Sequence, residues 1–257
     1  MPEFENAAKA LSDASEIVVF TGAGISAESS IPTYGDPLTG PWAPYDPRDM
    51  ETAKAFRENP SLVWGWYLWR RQQVSKAAPN AAHHAVSRLA KPGNTVSVIT
   101  QNIDDLHERA GSIGVLHLHG GLATPKCFAC HRPAEIPPPS VTFSADEELV
   151  EPPRCCRCNG KLRPGVVWYG ENLPSDVWKS AIALVKSCDV LISVGTSGTV
   201  RPAADIPKLA LSHGATVVHV NTEDVSTGAQ NELMLIGKAT EVLTQLCALL
   251  SREELVL

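Results

Sequence analysis

Ile17-Val18-Val19-Phe20-Thr21-Gly22-Ala23-Gly24-Ile25-Ser26 is the stretch whose reading decides the fold. Four apolar residues in succession, Ile17 to Phe20, show no period of two, so the run suits a strand covered on both faces. Glycines follow at once, where the strand is expected to turn into a helix. At such a turn Gly22 and Gly24 let backbone N–H groups come close to a phosphate at the positive end of the helix. A Gly-x-Gly by itself equally describes a tight corner without a ligand. The third glycine of the dinucleotide fingerprint is absent, with Ala27 in its place.

Working outward, similar runs recur at Val96–Ile99, Val190–Val194 and Thr216–Val220. Helical periodicity lies between or beside them, at Phe4–Asp13, Asp176–Lys186, Pro202–Ser212 and Ala239–Ser251. Strand–helix alternation predicts βαβ crossovers, hence an α/β protein with a Rossmann-like doubly wound parallel sheet. Two stretches break the alternation: residues 30–79, which open with a Pro- and Gly-rich loop, and residues 124–164, which hold a cysteine cluster. The expected division is a large nucleotide-binding domain of residues 1–29, 80–123 and 165–257. The remaining 30–79 and 124–164 form a smaller inserted domain. Ile136-Pro137-Pro138-Pro139 reads as a local extended spacer, and there is no internal repeat.

The chain has 257 residues, with 22 Lys plus Arg against 28 Asp plus Glu, a net charge of −6. An acidic balance disfavours nonspecific binding to nucleic acid or to a membrane surface, since both are anionic. There is no run of eighteen apolar residues and no basic-then-apolar leader, so a cytoplasmic protein is expected. Among seven cysteines, Cys127-x-x-Cys130 and Cys155-x-x-Cys158 form two knuckles, a spacing that suits a tetrahedral structural zinc. Four thiolates leave no position for a catalytic water, so the metal is expected to be structural. Cys156 competes for register, but Cys156–Cys158 would be only Cys-x-Cys. Cys188 and Cys247 read as buried thiols. A zinc ribbon that binds nucleic acid is the rival reading, and the charge argues against it.

Polar residues gather at the ends of the other apolar runs. Thr100-Gln101-Asn102-Ile103-Asp104 follows one; Gly195-Thr196-Ser197 follows another; Asn221-Thr222-Glu223 follows a third. In open α/β sheets ligands bind beyond the carboxyl ends of strands, where hydroxyls and amides suit ribose and phosphate oxygens. Turn formation and helix capping are the plain alternatives. Val115-Leu116-His117-Leu118-His119-Gly120-Gly121 comes next. As a strand it would put His117 and His119 on one face, with open space beside His119.

In this order, Gly22-Ala23-Gly24-Ile25-Ser26, Thr100–Asp104, His119-Gly120, the paired Cys-x-x-Cys and Gly195-Thr196-Ser197 resemble the sirtuins, the NAD-dependent protein-lysine deacylases. The resemblance runs from about Glu16 to Leu243. It implies a zinc-bearing small domain, with NAD and acyl-lysine meeting in the cleft. It implies His119 as the catalytic base, acting on a ribose hydroxyl near neutral pH, with Asn102 as a further catalytic residue. Gln101, Asn102, Ile103 and Asp104 would face nicotinamide and ribose. Gly22, Ala23, Gly195, Thr196, Ser197 and Asn221 would face adenosine and phosphate, with Ala239 near the adenine, and Gly24, Ser26, Tyr34, Thr222 and Glu223 would be further cofactor contacts. Val167-Trp168-Tyr169-Gly170-Glu171 resembles the strand that pairs with the substrate backbone, giving Val167 and Tyr169 as substrate contacts. Products would be nicotinamide, free lysine and O-acyl-ADP-ribose.

Trp64-Gly65-Trp66-Tyr67-Leu68-Trp69-Arg70-Arg71 lies on an expected helix, where Tyr67 and Arg70 share a face and Arg71 points roughly 100° away. A phenol and a guanidinium together can grip a carboxylate. Tyr67-x-x-Arg70 resembles the pair of the sirtuin branch that removes succinyl, malonyl and glutaryl groups, which implies removal of such acidic acyl groups as well as, or in preference to, acetyl. The sequence departs from the family after Ile31-Pro32-Thr33. Tyr34 can cover the nicotinamide side, but Gly35 stands where an Arg is usual, and Arg48 is the candidate to substitute from further along. The alternatives are an ADP-ribosyltransferase or dehydrogenase on the same sheet and a non-catalytic NAD or zinc module. Acyl-lysine proteins or peptides are the expected partners, and a monomer is favoured.

Overall fold

The computed structural model describes residues 2–31, 42–136 and 149–253. The chain opens with helix α1 (Pro2–Asp13) and strand β1 (Glu16–Thr21). Helices α2 (Pro47–Met50), α3 (Ala53–Glu58), α4 (Pro60–Lys76) and α5 (Ala81–Arg88) lead to β2 (Thr95–Thr100), α6 (Leu106–Arg109) and β3 (Leu116–His117). An antiparallel pair, β4 (Gly120–Cys127) and β5 (Leu162–Val166), precedes α7 (Ser175–Ser187) and β6 (Val190–Val194). Then come α8 (Ile206–Ser212), β7 (Thr216–Asn221), β8 (Glu232–Ile236) and α9 (Ala239–Glu253).

Six strands form one parallel sheet in the order β3-β2-β1-β6-β7-β8. Winding starts at β1 and runs one way through β2 to β3; it resumes at β6 and runs the other way through β7 to β8. The reversal between β1 and β6 makes the switch point of a Rossmann-like doubly wound sheet, where a crevice opens beyond the strand ends. The unbroken apolar runs are explained by alternation across the sheet. Ile17, Val19, Val190, Ile192, Val194, Val218 and Val220 pack on one face against α1, α5 and α9. Val18, Phe20, Leu191 and Val217 pack on the other face against α7 and α8.

A second kind of core lies apart from the sheet. Trp42, Phe56, Trp64, Trp66 and Tyr67 join Leu122, Leu162, Val166, Trp168 and two of the cysteines. Residues 63–68 of α4 are buried without interruption, so this helix is enclosed rather than amphipathic.

Three local expectations differ from the structure. After the glycines the chain forms two 3-10 turns, Ala23–Ile25 and Ala27–Ser29, instead of an α-helix. The run Val115–His119 is a strand only over Leu116–His117. Val167–Glu171 is not a continuous strand; there Tyr169 makes an isolated bridge to Thr52. The edge strand β8 has no counterpart among the expected runs. No helix of the described residues is long and apolar enough to cross a membrane.

Candidate active site

At the switch point the turn after β1 is seated directly on the turn after β6. The Gly22 amide donates to Val194 O at 3.0 Å and the Gly24 amide to Gly195 O at 3.0 Å. A Cβ on Gly24 would lie 2.6 Å from Gly195 Cα, and one on Gly195 would lie 2.6 Å from Gly24 Cα. Gly195 also holds φ +58°, in the left-handed region. These glycines are therefore required by the close approach of two chain segments, a different reason from the phosphate approach read in the sequence. The same two hydrogen bonds hold the chain against β6, while the 3-10 turns close on their own bonds, Ile25 N–H to Gly22 O at 3.2 Å and Ser29 N–H to Ser26 O at 3.0 Å.

Four neighbouring strands, β2, β1, β6 and β7, end on this edge, and each is followed by small or hydrogen-bonding residues. At about 4.8 Å between strands, the four ends span roughly 14 Å, enough for an extended dinucleotide. Asn221 Nδ2 donates to Thr196 O at 2.9 Å, which ties the β7 and β6 ends together. Thr222 and Glu223 are exposed beside them, as is Ser197. Ala239 is buried in the apolar cluster under the sheet at the start of α9. Tyr34 and Gly35 lie outside the described residues.

A buried polar network underlies the β1 and β2 ends. Ser26 Oγ donates to Asp104 Oδ2 at 3.0 Å and accepts from Asn102 Nδ2 at 3.2 Å. Asn102 N–H donates to Thr100 Oγ1 at 3.0 Å, and Thr100 Oγ1 lies 2.8 Å from Thr21 Oγ1. His107 Nε2 meets Thr21 Oγ1 at 3.0 Å, and His83 Nε2 faces Ser26 Oγ at 3.5 Å. Burial pushes His83 down to about 3 and His107 down to about 4, so both are neutral at physiological pH. Burial also raises the Asp104 carboxyl above its ordinary value, against the Leu106 amide and the Ser26 hydroxyl. Thr21, His83 and His107 are not among the site residues expected from sequence, and Thr100 is expected only as part of the polar run. The Thr that closes each of the runs Ile17–Phe20 and Val96–Ile99 was the available signal.

His117 and His119 are anchored alike but set differently. His117 Nδ1 donates to Asn102 O at 3.0 Å and His119 Nδ1 to Gln101 O at 2.9 Å. For His117, burial disfavours charge, but Glu108 Oε1 at 2.7 Å and the Asn102 carbonyl outweigh it and raise the pKa. For His119, burial dominates and lowers the pKa, against the Gln101 carbonyl and the charge of Glu51. With Nδ1–H fixed on a carbonyl, neutral His119 carries its lone pair on Nε2. A neutral imidazole with a fixed tautomer is what a general base requires.

Glu51, absent from the sequence expectations, lies close by. Its carbonyl accepts from Tyr169 N–H at 2.9 Å, while Val167 N–H donates to His119 O at 2.8 Å. Its carboxylate accepts from Arg70 Nη1 at 2.8 Å. Tyr67 is buried and its hydroxyl donates to Leu122 O at 2.6 Å. The guanidinium over the Tyr67 ring is that of Arg71, at 5.7 Å, whereas Arg70 lies over Trp66 at 5.6 Å. On α4 the four-residue pairs are in contact, and the three-residue pair Tyr67–Arg70 is divided between other partners. Arg48, the candidate substitute for the missing Arg, is exposed and holds Asp46 at 2.8 Å.

The cysteines form the candidate metal centre. The Sγ atoms of Cys127, Cys130, Cys155 and Cys158 lie within 4.8 Å of one another. Cys127–Cys158 is 3.5 Å and Cys130–Cys155 is 3.9 Å, against about 3.8 Å for adjacent thiolates on a tetrahedral zinc. The two knuckles close alike: His131 N–H donates to Cys127 O at 3.0 Å and Asn159 N–H to Cys155 O at 2.9 Å. His131 and Asn159 both take positive φ, 58° and 60°. Cys156 is exposed and outside the cluster. The donor set fits one structural zinc, held by all four thiolates.

Residues 22–202 match the model of the Sir2 family. The chain is 64% identical over 239 residues to NAD-dependent protein deacylase 4 of Pseudomonas syringae pv. tomato, covering 93% of each chain. It is 69% identical over 226 residues to NAD-dependent protein deacylase 1 of the same organism, covering 88% of this chain and 98% of that one. Among solved structures, a Sir2 homologue in complex with NAD superposes with TM-score 0.86 at 39% identity, covering 97% of this chain and 94% of that one. Sir2Af2 bound to a myristoylated histone peptide superposes with TM-score 0.74 at 34% identity, covering 98% of both.

Proposed function

This chain belongs to the Sir2 family, and from that premise we propose that it is an NAD-dependent protein-lysine deacylase. Its products are nicotinamide, free lysine and O-acyl-ADP-ribose. The observation that carries the reading is His119, its pKa lowered by burial and its ring fixed in one tautomer on Gln101 O at 2.9 Å, at the carboxyl end of β2. NAD, when bound, would supply the ribose carbon from which nicotinamide departs and the ribose hydroxyl that takes up the acyl group.

The chain's own residues divide the remaining work. Gly22, Ala23, Gly24, Gly195, Thr196, Ser197, Asn221, Thr222 and Glu223, with Ala239, hold the adenosine and phosphate end. Ser26, Gln101, Asn102, Ile103 and Asp104, with Tyr34, hold the ribose and nicotinamide end. The Ser26–Asn102–Asp104 hydrogen bonds support this, because they pre-set the Asn102 amide before any ligand arrives. His119 Nε2 accepts the proton of a ribose hydroxyl. Val167 and Tyr169 position the peptide, and Tyr67 and Arg70 stand at the acyl end. The zinc thiolates of Cys127, Cys130, Cys155 and Cys158 stabilise the small domain and take no part in the reaction. The large domain is residues 1–29, 80–123 and 165–257, and the small one is 30–79 and 124–164.

Acyl-lysine peptides are the substrate class, a reading supported by the relative that holds a myristoylated histone peptide. The net charge of −6 supports a cytoplasmic monomer that acts on protein rather than nucleic acid or membrane. Mass spectrometry of one acetyl-lysine peptide, with and without NAD, tests the activity. His119→Ala is expected to lower kcat by about 10²–10⁴-fold. Appearance of NADH absorbance, or unaltered peptide in the presence of bound NAD, would overturn the reading.

A further inference from the structure

We infer that Glu51 determines acyl specificity: it serves as an internal counter-ion for Arg70 and so turns the site against acyl groups that end in a carboxylate. This rests on the deacylase reading, and on Arg70 as a contact at the acyl end.

Arg70 stands at the position where an acidic acyl group would find a cation, yet a carboxylate of the chain itself already occupies that place. Glu51 Oε1 is 2.8 Å from Arg70 Nη1, and the two side chains are only 10% and 15% exposed. The Trp66 indole N–H points at the same oxygen at 3.5 Å, and the Trp66 ring lies under the Arg70 guanidinium. The pair is fixed from its backbone as well. Glu51 O holds Tyr169 N–H, Thr52 bridges Tyr169, and Val167 N–H holds His119 O. The carboxylate is thus tethered to the segment that bears the candidate substrate contacts and, through it, to the candidate base. Its charge reaches both of them, working to raise the pKa of His119 and of Tyr169.

In a corner with little water, charge interactions act at low effective dielectric. A succinyl carboxylate arriving at Arg70 would meet the Glu51 carboxylate and share one guanidinium with it, a like-charge juxtaposition. An uncharged acyl group meets a neutralised pair and leaves no charge unpaired. The other cations nearby are engaged, with Arg48 on Asp46 and Arg71 over the Tyr67 ring. The Tyr67 hydroxyl is held by Leu122 O.

The test uses one peptide with its lysine acetylated, succinylated or carrying succinamyl, the uncharged amide isostere of succinyl. In the unmodified protein kcat/KM is expected to be higher for succinamyl than for succinyl. Glu51→Gln, which keeps the shape and removes the charge, is expected to raise the succinyl-to-succinamyl ratio at least about tenfold. Adding Arg70→Met to it should abolish that gain. An unchanged ratio in folded Glu51→Gln protein would overturn the inference, as would a preference of the unmodified protein for succinyl. Should Glu51→Gln fail to fold, the unmodified protein's preference decides alone. Loss of all three activities would strike the deacylase reading instead. Fluorescence anisotropy of the same labelled peptides then gives the acyl order without turnover, and equal or preferential binding of succinyl, or no binding at all, would overturn the inference.

Discussion

On the two faces of the sheet, burial comes from aliphatic side chains that alternate along each strand and meet helices adjacent in sequence. In the cysteine-bearing region the core is aromatic, and its members come from residues 42–74, 122–128 and 155–168. Phe56 lies between Phe128 at 5.0 Å and Trp168 at 5.4 Å, so three distant stretches converge on one ring cluster. Arg163 is buried here too, 2% exposed, with its guanidinium over Trp168 and bonded to Glu171 and Val166 O. The sheet is held by repeated local rules. The aromatic region is held by long-range contacts that a metal ties together, and that difference sets how each should fail.

The largest expected effect is metal removal. Structural zinc contributes on the order of 10 kcal/mol to small sites. Cys155→Ser, or chelation, is expected to abolish zinc binding and loosen the aromatic core while the sheet keeps its helical and strand signal. Trp42, Trp64, Trp66, Trp69 and Trp168 belong to that core and Trp178 packs beside the sheet, so tryptophan emission should shift strongly to the red. Unchanged emission in metal-free protein would remove the contrast between the regions.

Breaking the sheet side takes a single methyl group. Gly195→Ala places a Cβ 2.6 Å from Gly24 Cα at a φ of +58°. The expected cost is about 3 kcal/mol, a fall in Tm of roughly 6–12 °C, with zinc content unaltered. Calorimetry with metal analysis would check both.

Acid should act through His83 and His107, whose folded pKa values of about 3 and about 4 lie below the ordinary 6.5. A lowered pKa means that the unfolded chain binds protons first. Their contribution is therefore complete above pH 6.5 and is lost as pH falls from 6.5 towards 4 and 3. Each histidine contributes a slope of about 1.4 kcal/mol per pH unit within its window. Urea unfolding between pH 7.5 and 5 should show a shallower loss for His83→Gln than for the unmodified protein. Equal slopes would contradict the buried neutral state.

Cys156→Ser is expected to change the least. It is exposed and lies outside the thiol cluster, so zinc stoichiometry should stay at one and stability within about 0.5 kcal/mol. Loss of zinc here would mean that the knuckle uses the other register.

The parallel sheet was legible because Ile17–Phe20, Val96–Ile99, Val190–Val194 and Thr216–Val220 are local signals of two-sided burial. The edge strand β8 was not legible, since it is buried mainly at Leu235 and resembles a short loop run. His119 and the four ligand cysteines were visible from type and spacing. Glu51 was not, because Asp49-Met50-Glu51-Thr52 contains no sign of the arginine it meets nineteen residues later. The partners of Tyr67 and Arg70 on α4 were not legible for a related reason. Helical spacing places both Tyr67–Arg70 and Tyr67–Arg71 within reach, and only the surrounding acceptors settle which side chain goes where.

By itself the sequence determined the strand runs, the polar strand ends, the two cysteine knuckles and the family, because each of these is written in adjacent or regularly spaced residues. Only the tertiary structure decided why the glycines are glycines, which histidine is pushed towards its charged form and which towards its neutral form, and which carboxylate neutralises Arg70. Those properties belong to pairs of segments far apart in the chain. They depend on distance, burial and local dielectric, and none of these exists until the sheet and the aromatic core have brought the segments together.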